Sequence, residues 1–127
     1  VIVLDANVLI AFLDASDHHH GDAISLFEHH FLEGFSASVL TIAEALVHPV
    51  RNGRQDAALA SLAAIAVEVV SLDSGEAAEL ARIRNVYRLR MPDAVTLHAA
   101  ISTGASLATF DESLASAAQS AGVTVVF

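Results

Sequence analysis

Four acidic residues hold the chemistry this chain could do. Asp5 directly follows the apolar run VIVL, and Asp111 comes just after SLAT in ATFDESL. Asp93 follows RMP in the first turn of a predicted helix, and Glu44 lies in VLTIAEALVHP. Carboxylates brought within a few ångströms repel one another. At an effective dielectric of about 20, a pair at ~4 Å costs about 4 kcal/mol. Such a set persists only when protonated or when it holds cations. With no cysteine in the chain, all-oxygen donors favour Mg²⁺ or Mn²⁺. A divalent ion so held lowers the pKa of a bound water and stabilises phosphate charge in a transition state, which is phosphoryl-transfer or hydrolytic chemistry. Each acid also has a plainer reading. Asp93 is an ordinary acid for a helix N-terminus, Glu44 fits an exposed face, and Asp111 fits a helix cap. Asp5 is harder to dismiss, because an acid at a strand end followed at once by more apolar sequence has little structural purpose.

The elements that must position these acids alternate. Short apolar runs at 1–4, 35–38, 67–70, 106–109 and 123–127 read as strands. Helical stretches fall at 7–14, about 22–32, 39–50, 53–65, 74–89, 92–104 and 112–122, with Gly34 as a stop signal and Pro49 expected to end its helix. Strands alternating with helices predict an α/β domain with a parallel sheet. Such sheets bind ligands at the carboxyl ends of their strands, where Asp5 and Asp111 fall. In the third helix the polar stripe is Thr41, Glu44 and His48, at i, i+3 and i+7. No linker, repeat or low-complexity tract interrupts the chain, and its 127 residues predict one domain, 1–127.

Composition narrows the function. The net charge of −9 argues against a general nucleic-acid coat. All six basic residues are arginine, and there is no lysine. Apolar residues reach 54%, a surplus that points to a partner or a second copy. No apolar run approaches a membrane span, and no charged segment precedes an apolar leader, so a cytoplasmic protein without membrane contact is expected. The chain opens on Val1 rather than Met, so it is expected to start inside a longer one.

VIVLDANVLI, TIAEALVHP, RMPDAVTLHAA and LATFDESLA resemble, in order and spacing, the four acidic motifs of PIN-domain ribonucleases. The nearest likeness is to the VapC-type toxins of type II toxin–antitoxin pairs. The resemblance implies a three-layer α/β/α sandwich around a mainly parallel sheet. It implies a Mg²⁺- or Mn²⁺-dependent endoribonuclease that cuts tRNA, rRNA or mRNA. It also implies a homodimer inhibited by a cognate VapB-like antitoxin, whose C-terminal segment covers the acidic site. Carried over residue by residue, Asp5, Glu44, Asp93 and Asp111 form the catalytic, metal-binding quartet, with Asp5 and Asp93 the firmest ligands. Glu44 would position or deprotonate the attacking water. Asn7 matches a position that orients the site, and Thr109 is expected to support the ligands from behind. One departure is Glu112, which directly follows Asp111 where many members place an Asp two residues on.

Arg90 sits three residues before Asp93, which favours a role at the RNA phosphates. Arg82 is expected to pair with Glu79 across one helical turn. The adjacent His18, His19 and His20 cannot all face one ion from a helix, and a structural or solvated role is expected. His29, His30 and His98 lack the spacing of a zinc motif. Two other classes compete. A phosphotransfer signalling domain or phosphatase also places an Asp and Mg²⁺ at a strand end, but those families rely on a lysine that this chain lacks. A non-catalytic α/β interaction domain with an acidic Mg-binding pocket is the other, and the intact quartet counts against it.

Overall fold

The computed structural model describes residues 1–127. Four parallel strands form the sheet: β1 (Ile2–Leu4), β2 (Phe35–Ser38), β3 (Val67–Val70) and β4 (Ser106–Ala108), in the order β3-β2-β1-β4. Seven helices surround it: α1 (Ala6–Leu13), α2 (His20–His30), α3 (Val39–Arg51), α4 (Gln55–Ala64), α5 (Ala77–Tyr87), α6 (Met91–Thr103) and α7 (Glu112–Ser120). Single 3₁₀ turns at 31–33 and 74–76 lead into β2 and α5.

The alternation of side chains along the strands produces the layers. Ile2 and Leu4 point into one apolar core with residues of α1 to α4, among them Val8, Leu9, Leu26, Phe27, Ile42 and Leu62. Val3, between them, points into a second core with Leu97 and Ala100 of α6 and Leu114 and Ala118 of α7. Because β1 and β2 are covered on both faces, all seven of their residues are buried. The result is the expected three-layer α/β/α sandwich.

The chain runs outward from β1 to β2 and β3, then returns to place β4 on the other side of β1. The carboxyl ends of β1 and β4 are therefore the topological switch point, where α/β sheets open a crevice.

Two sequence expectations need correction. The run 123–127 is not a strand. It makes one parallel bridge, Leu107 with Val125, held by Leu107 N–H to Thr124 O (2.8 Å) and Val126 N–H to Leu107 O (2.9 Å). The partner strand β4 is only three residues long, and Phe127 leaves the sheet direction to stack on Phe110 with ring centroids 4.6 Å apart. Pro49 also does not end α3, which continues to Arg51. So close to the helix end, its missing N–H forfeits one bond, and its carbonyl still accepts from Arg54 N–H at 2.8 Å.

Candidate active site

Asp5 is the first residue beyond β1 and the N-cap of α1. Its Oδ1 accepts the Ala6 N–H at 2.8 Å. Its Oδ2 accepts the Thr109 hydroxyl at 2.7 Å, from just past β4. Thr109 in turn accepts from the Asn7 amide (3.3 Å) and the Asp111 N–H (3.0 Å). Asn7 Oδ1 accepts the Phe110 N–H at 3.2 Å. A hydroxyl has one proton and two lone pairs, so every hydrogen-bonding site of Thr109 is filled, and its proton is fixed on Asp5. Three of these contacts, Thr109 to Asp5, Asn7 to Thr109 and Phe110 to Asn7, stitch the end of β1 to the end of β4 across more than a hundred residues of sequence.

The other acids arrive on helix starts at the same edge. Ser38 ends β2 and caps α3 through the Thr41 N–H (3.1 Å), which places Glu44 in the second turn of α3. Asp93 lies in the first turn of α6, where Pro92 suits the unpaired N–H groups of a helix start. Asp111 caps α7, its Oδ1 accepting the N–H groups of Ser113 (2.8 Å) and Leu114 (3.3 Å). The plain capping role foreseen for Asp111 is thus real, and Asp5, for which little structural purpose was expected, caps α1 as well; each cap uses only part of the carboxylate.

The four acids sense one another. Burial raises the Asp5 carboxyl above its ordinary value; the Thr109 and Ala6 bonds oppose this, and the charges of Asp93 and Asp111 add to it. Glu44 is raised by burial and by Asp5 and Asp93, with Arg90 acting the other way. Asp93 is raised by burial and by Asp111, again opposed by Arg90. Arg90 is largely exposed, and its Nε lies 3.7 Å from Asp93 Oδ2.

The acids share an edge without closing into a tight cluster. No three acidic or histidine side chains stand close enough together to hold a metal ion as they are turned. The reasons are local. Asp93 leans on Arg90, Asp111 on the α7 amides, and Asp5 on Thr109 and Ala6. Mutual repulsion favours this spread. The donor chemistry nonetheless suits a hard divalent cation, since all four groups are carboxylates and three are destabilised as free anions.

Ser38 and Thr96 were not legible as site residues. Thr41 Oγ1 lies 3.0 Å from Ser38 Oγ and 3.5 Å from Thr96 Oγ1, and all three side chains are buried. This hydroxyl chain joins α3 to α6 one turn behind Glu44 and Asp93. The available signal was a Thr three residues after Asp93, matching the Thr three residues before Glu44. His48, the third member of the stripe, is exposed and bonds Asn52 at 3.0 Å. The histidine run divides its roles: His18 is exposed, His19 stacks on Phe110, and His20 Nδ1 lies 2.7 Å from Ala11 O. Arg82 pairs with Glu79 as expected (Nε to Oε2, 3.1 Å).

A family model of the PIN domain matches residues 2–119, and the chain belongs to that family. Its fold is shared by solved structures. One is VapC20 of Mycobacterium tuberculosis, described as a Sarcin-Ricin loop cleaving toxin, with a TM-score of 0.75 and 22% identity over 92% of this chain and 95% of the other. A second is FitAcB from Neisseria gonorrhoeae, with 0.73 and 22% over 98% and 96%. A third is a toxin–antitoxin complex from Klebsiella pneumoniae, with 0.68 and 21% over 87% of each chain. Among curated proteins none matches the chain by sequence.

Proposed function

We propose that residues 1–127 form one PIN nuclease unit that hydrolyses phosphodiester bonds in RNA, the toxin of a type II toxin–antitoxin pair. The observation that carries this reading is the junction at the sheet's switch point, where Thr109 and Asn7 lock Asp5 beside Asp111. Family membership supports it. So do the similar solved structures, one described as a Sarcin-Ricin loop cleaving toxin and one as a toxin–antitoxin complex.

In this reading Asp5 and Asp93 hold Mg²⁺ or Mn²⁺, with Glu44 and Asp111 completing the donor set. The ion, when bound, supplies an activated water and neutralises phosphate charge. The chain's own groups do the rest. Thr109, itself held by Asn7, keeps Asp5 aimed and partly offsets the effect of its burial. Glu44, its carboxyl raised by burial and by the charges of Asp5 and Asp93, is the group placed to accept a proton from the attacking water. Arg90 projects from the α6 start and binds the phosphate beside Asp93. A VapB-like antitoxin covers this edge in the inhibited state. Val39, Val47 and Val50, exposed together along α3, supply an apolar face for a homodimer.

The test is to incubate the purified protein with total RNA and Mg²⁺ or Mn²⁺ and map new 5′ ends. Discrete cuts, lost in EDTA and in Asp5→Ala, are expected. Equal cutting by Asp5→Ala would overturn the assignment. Growth arrest on expression, relieved by a small neighbouring open reading frame, would identify the antitoxin.

A further inference from the structure

A second feature begins where the acidic edge stops. Between the turn that links α5 to α6 and the exposed side of α7 runs a groove of about 730 Å³. One wall carries Tyr87 and Arg88, and the other carries Glu112, Ser113, Ser116 and Ser120. Both walls grow directly out of the candidate site. The first leads through Leu89 into Arg90, and the second starts at Glu112, next to Asp111. The acids themselves do not line the groove, but its lining residues Leu89 and Glu112 directly adjoin Arg90 and Asp111 in the chain.

Resting on the nuclease reading above, we propose that this groove holds the RNA strand flanking the scissile phosphate, with Arg88 as a phosphate ligand that takes no part in the chemistry. Three observations converge. The serines at 113, 116 and 120 recur at i, i+3 and i+7, so α7 lines the groove with hydroxyls, which suit a sugar–phosphate backbone. An amphipathic peptide helix would need a predominantly apolar groove, whereas Val86, Leu89 and Ala117 here are interspersed with hydroxyl and charged side chains. Arg88 is exposed and brings a full positive charge to the opposite wall of a chain of net charge −9. Arg88 also caps α5 with φ 55° and ψ 45°, a left-handed conformation that glycine adopts without penalty. Here an arginine side chain is kept at backbone cost. Glu112, on the hydroxyl wall, repels phosphate and so places the backbone on the Arg88 side; its carboxylate can accept from a ribose 2′-OH.

The experiment measures fluorescence anisotropy of a labelled 12-nucleotide oligouridylate in EDTA at several salt concentrations, alongside metal-dependent cleavage of total RNA. Arg88→Ala is expected to weaken binding about tenfold and to reduce the salt slope by about 0.7, the share of one phosphate contact on a single strand. Arg88→Lys should recover most of the affinity. Arg88→Gly should bind as weakly as Arg88→Ala while melting at a higher temperature, an opposition that a structural role for the side chain would not produce. If the wild type cuts RNA and affinity and slope are unchanged in both Arg88→Ala and Arg88→Gly, the groove assignment fails alone. Loss of antitoxin binding with RNA affinity intact would likewise overturn it in favour of a protein occupant. A wild type that neither binds nor cuts RNA would remove the nuclease reading and this one together.

Discussion

Thr109 commits its single proton and both lone pairs to Asp5, Asn7 and Asp111. Thr109→Val keeps the shape and removes all three contacts. Asp5 then loses the bond that most opposes its burial. Mn²⁺ affinity, read by titration calorimetry, is expected to fall about 10- to 100-fold, the usual cost of losing a group that orients a ligand. Thr109→Ser should retain most of it, and equal affinity for Val and wild type would contradict the role. Asp5 stood out in the sequence because it directly follows a strand, whereas Asn7 and Thr109 were expected from the resemblance to the PIN family; the structure bonds the three into one junction. The Ser38–Thr41–Thr96 chain was not visible in the sequence. It depends on how two helices from distant parts of the sequence cross, which periodicity along one helix does not encode. Glu112 was also ambiguous in sequence, and its place on the groove wall follows from the start of α7 at that residue.

Helix boundaries were legible where a side chain or glycine enforces them. Gly104, with φ 67°, ends α6 where the sequence suggested, and Ser38 and Asp111 begin α3 and α7 by capping. The stretch 74–89 was read as one helix, but it opens with a 3₁₀ turn under a capping box made by Asp73 and Glu76. Glu76 accepts the Asp73 N–H at 2.6 Å, and Glu76 Oε1 lies 3.0 Å from Nε2 of the buried His98 on α6. These bonds, the backbone one first, hold the Glu76 carboxyl below its ordinary value. A carboxyl lowered on folding stabilises the fold above its unfolded value, about 4.3 for Glu, and that stabilisation is lost as pH falls through the lower folded value. Glu76→Gln should therefore melt earlier than wild type at pH 6, with the gap closing as pH drops below the usual carboxylate range. A gap that persisted at pH 2 would show that charge is not its origin. Thr96→Val tests the same helix from its other side. Losing a buried hydroxyl contact should cost about 1 kcal/mol in urea denaturation and lower cleavage by loosening Glu44 against Asp93.

For the whole molecule, the alternation of strands and helices was enough to foresee a parallel-sheet α/β domain, and the family resemblance supplied the three layers. The bridge at Val125 was less legible, because an apolar run beside a three-residue strand has too little ladder to become a strand itself. The acids repel one another across the switch point, so an ion that binds there stabilises the folded state by mass action. At a concentration 100 times its dissociation constant, Mg²⁺ or Mn²⁺ should add about 2.7 kcal/mol, roughly 10 °C in melting temperature for a chain of this size. Asp5→Asn should abolish the shift, and an unchanged melting curve for the wild type would count against metal binding at this edge. The exposed faces do not alter this expectation, and no helix is long and apolar enough to cross a membrane.

The pairing of β1 with β4 sets an order in time as well as in space. Asp5 leaves the ribosome more than a hundred residues ahead of its partner Thr109. A growing chain thus carries an unassembled site until the region beyond β4 has emerged and folded back onto β1.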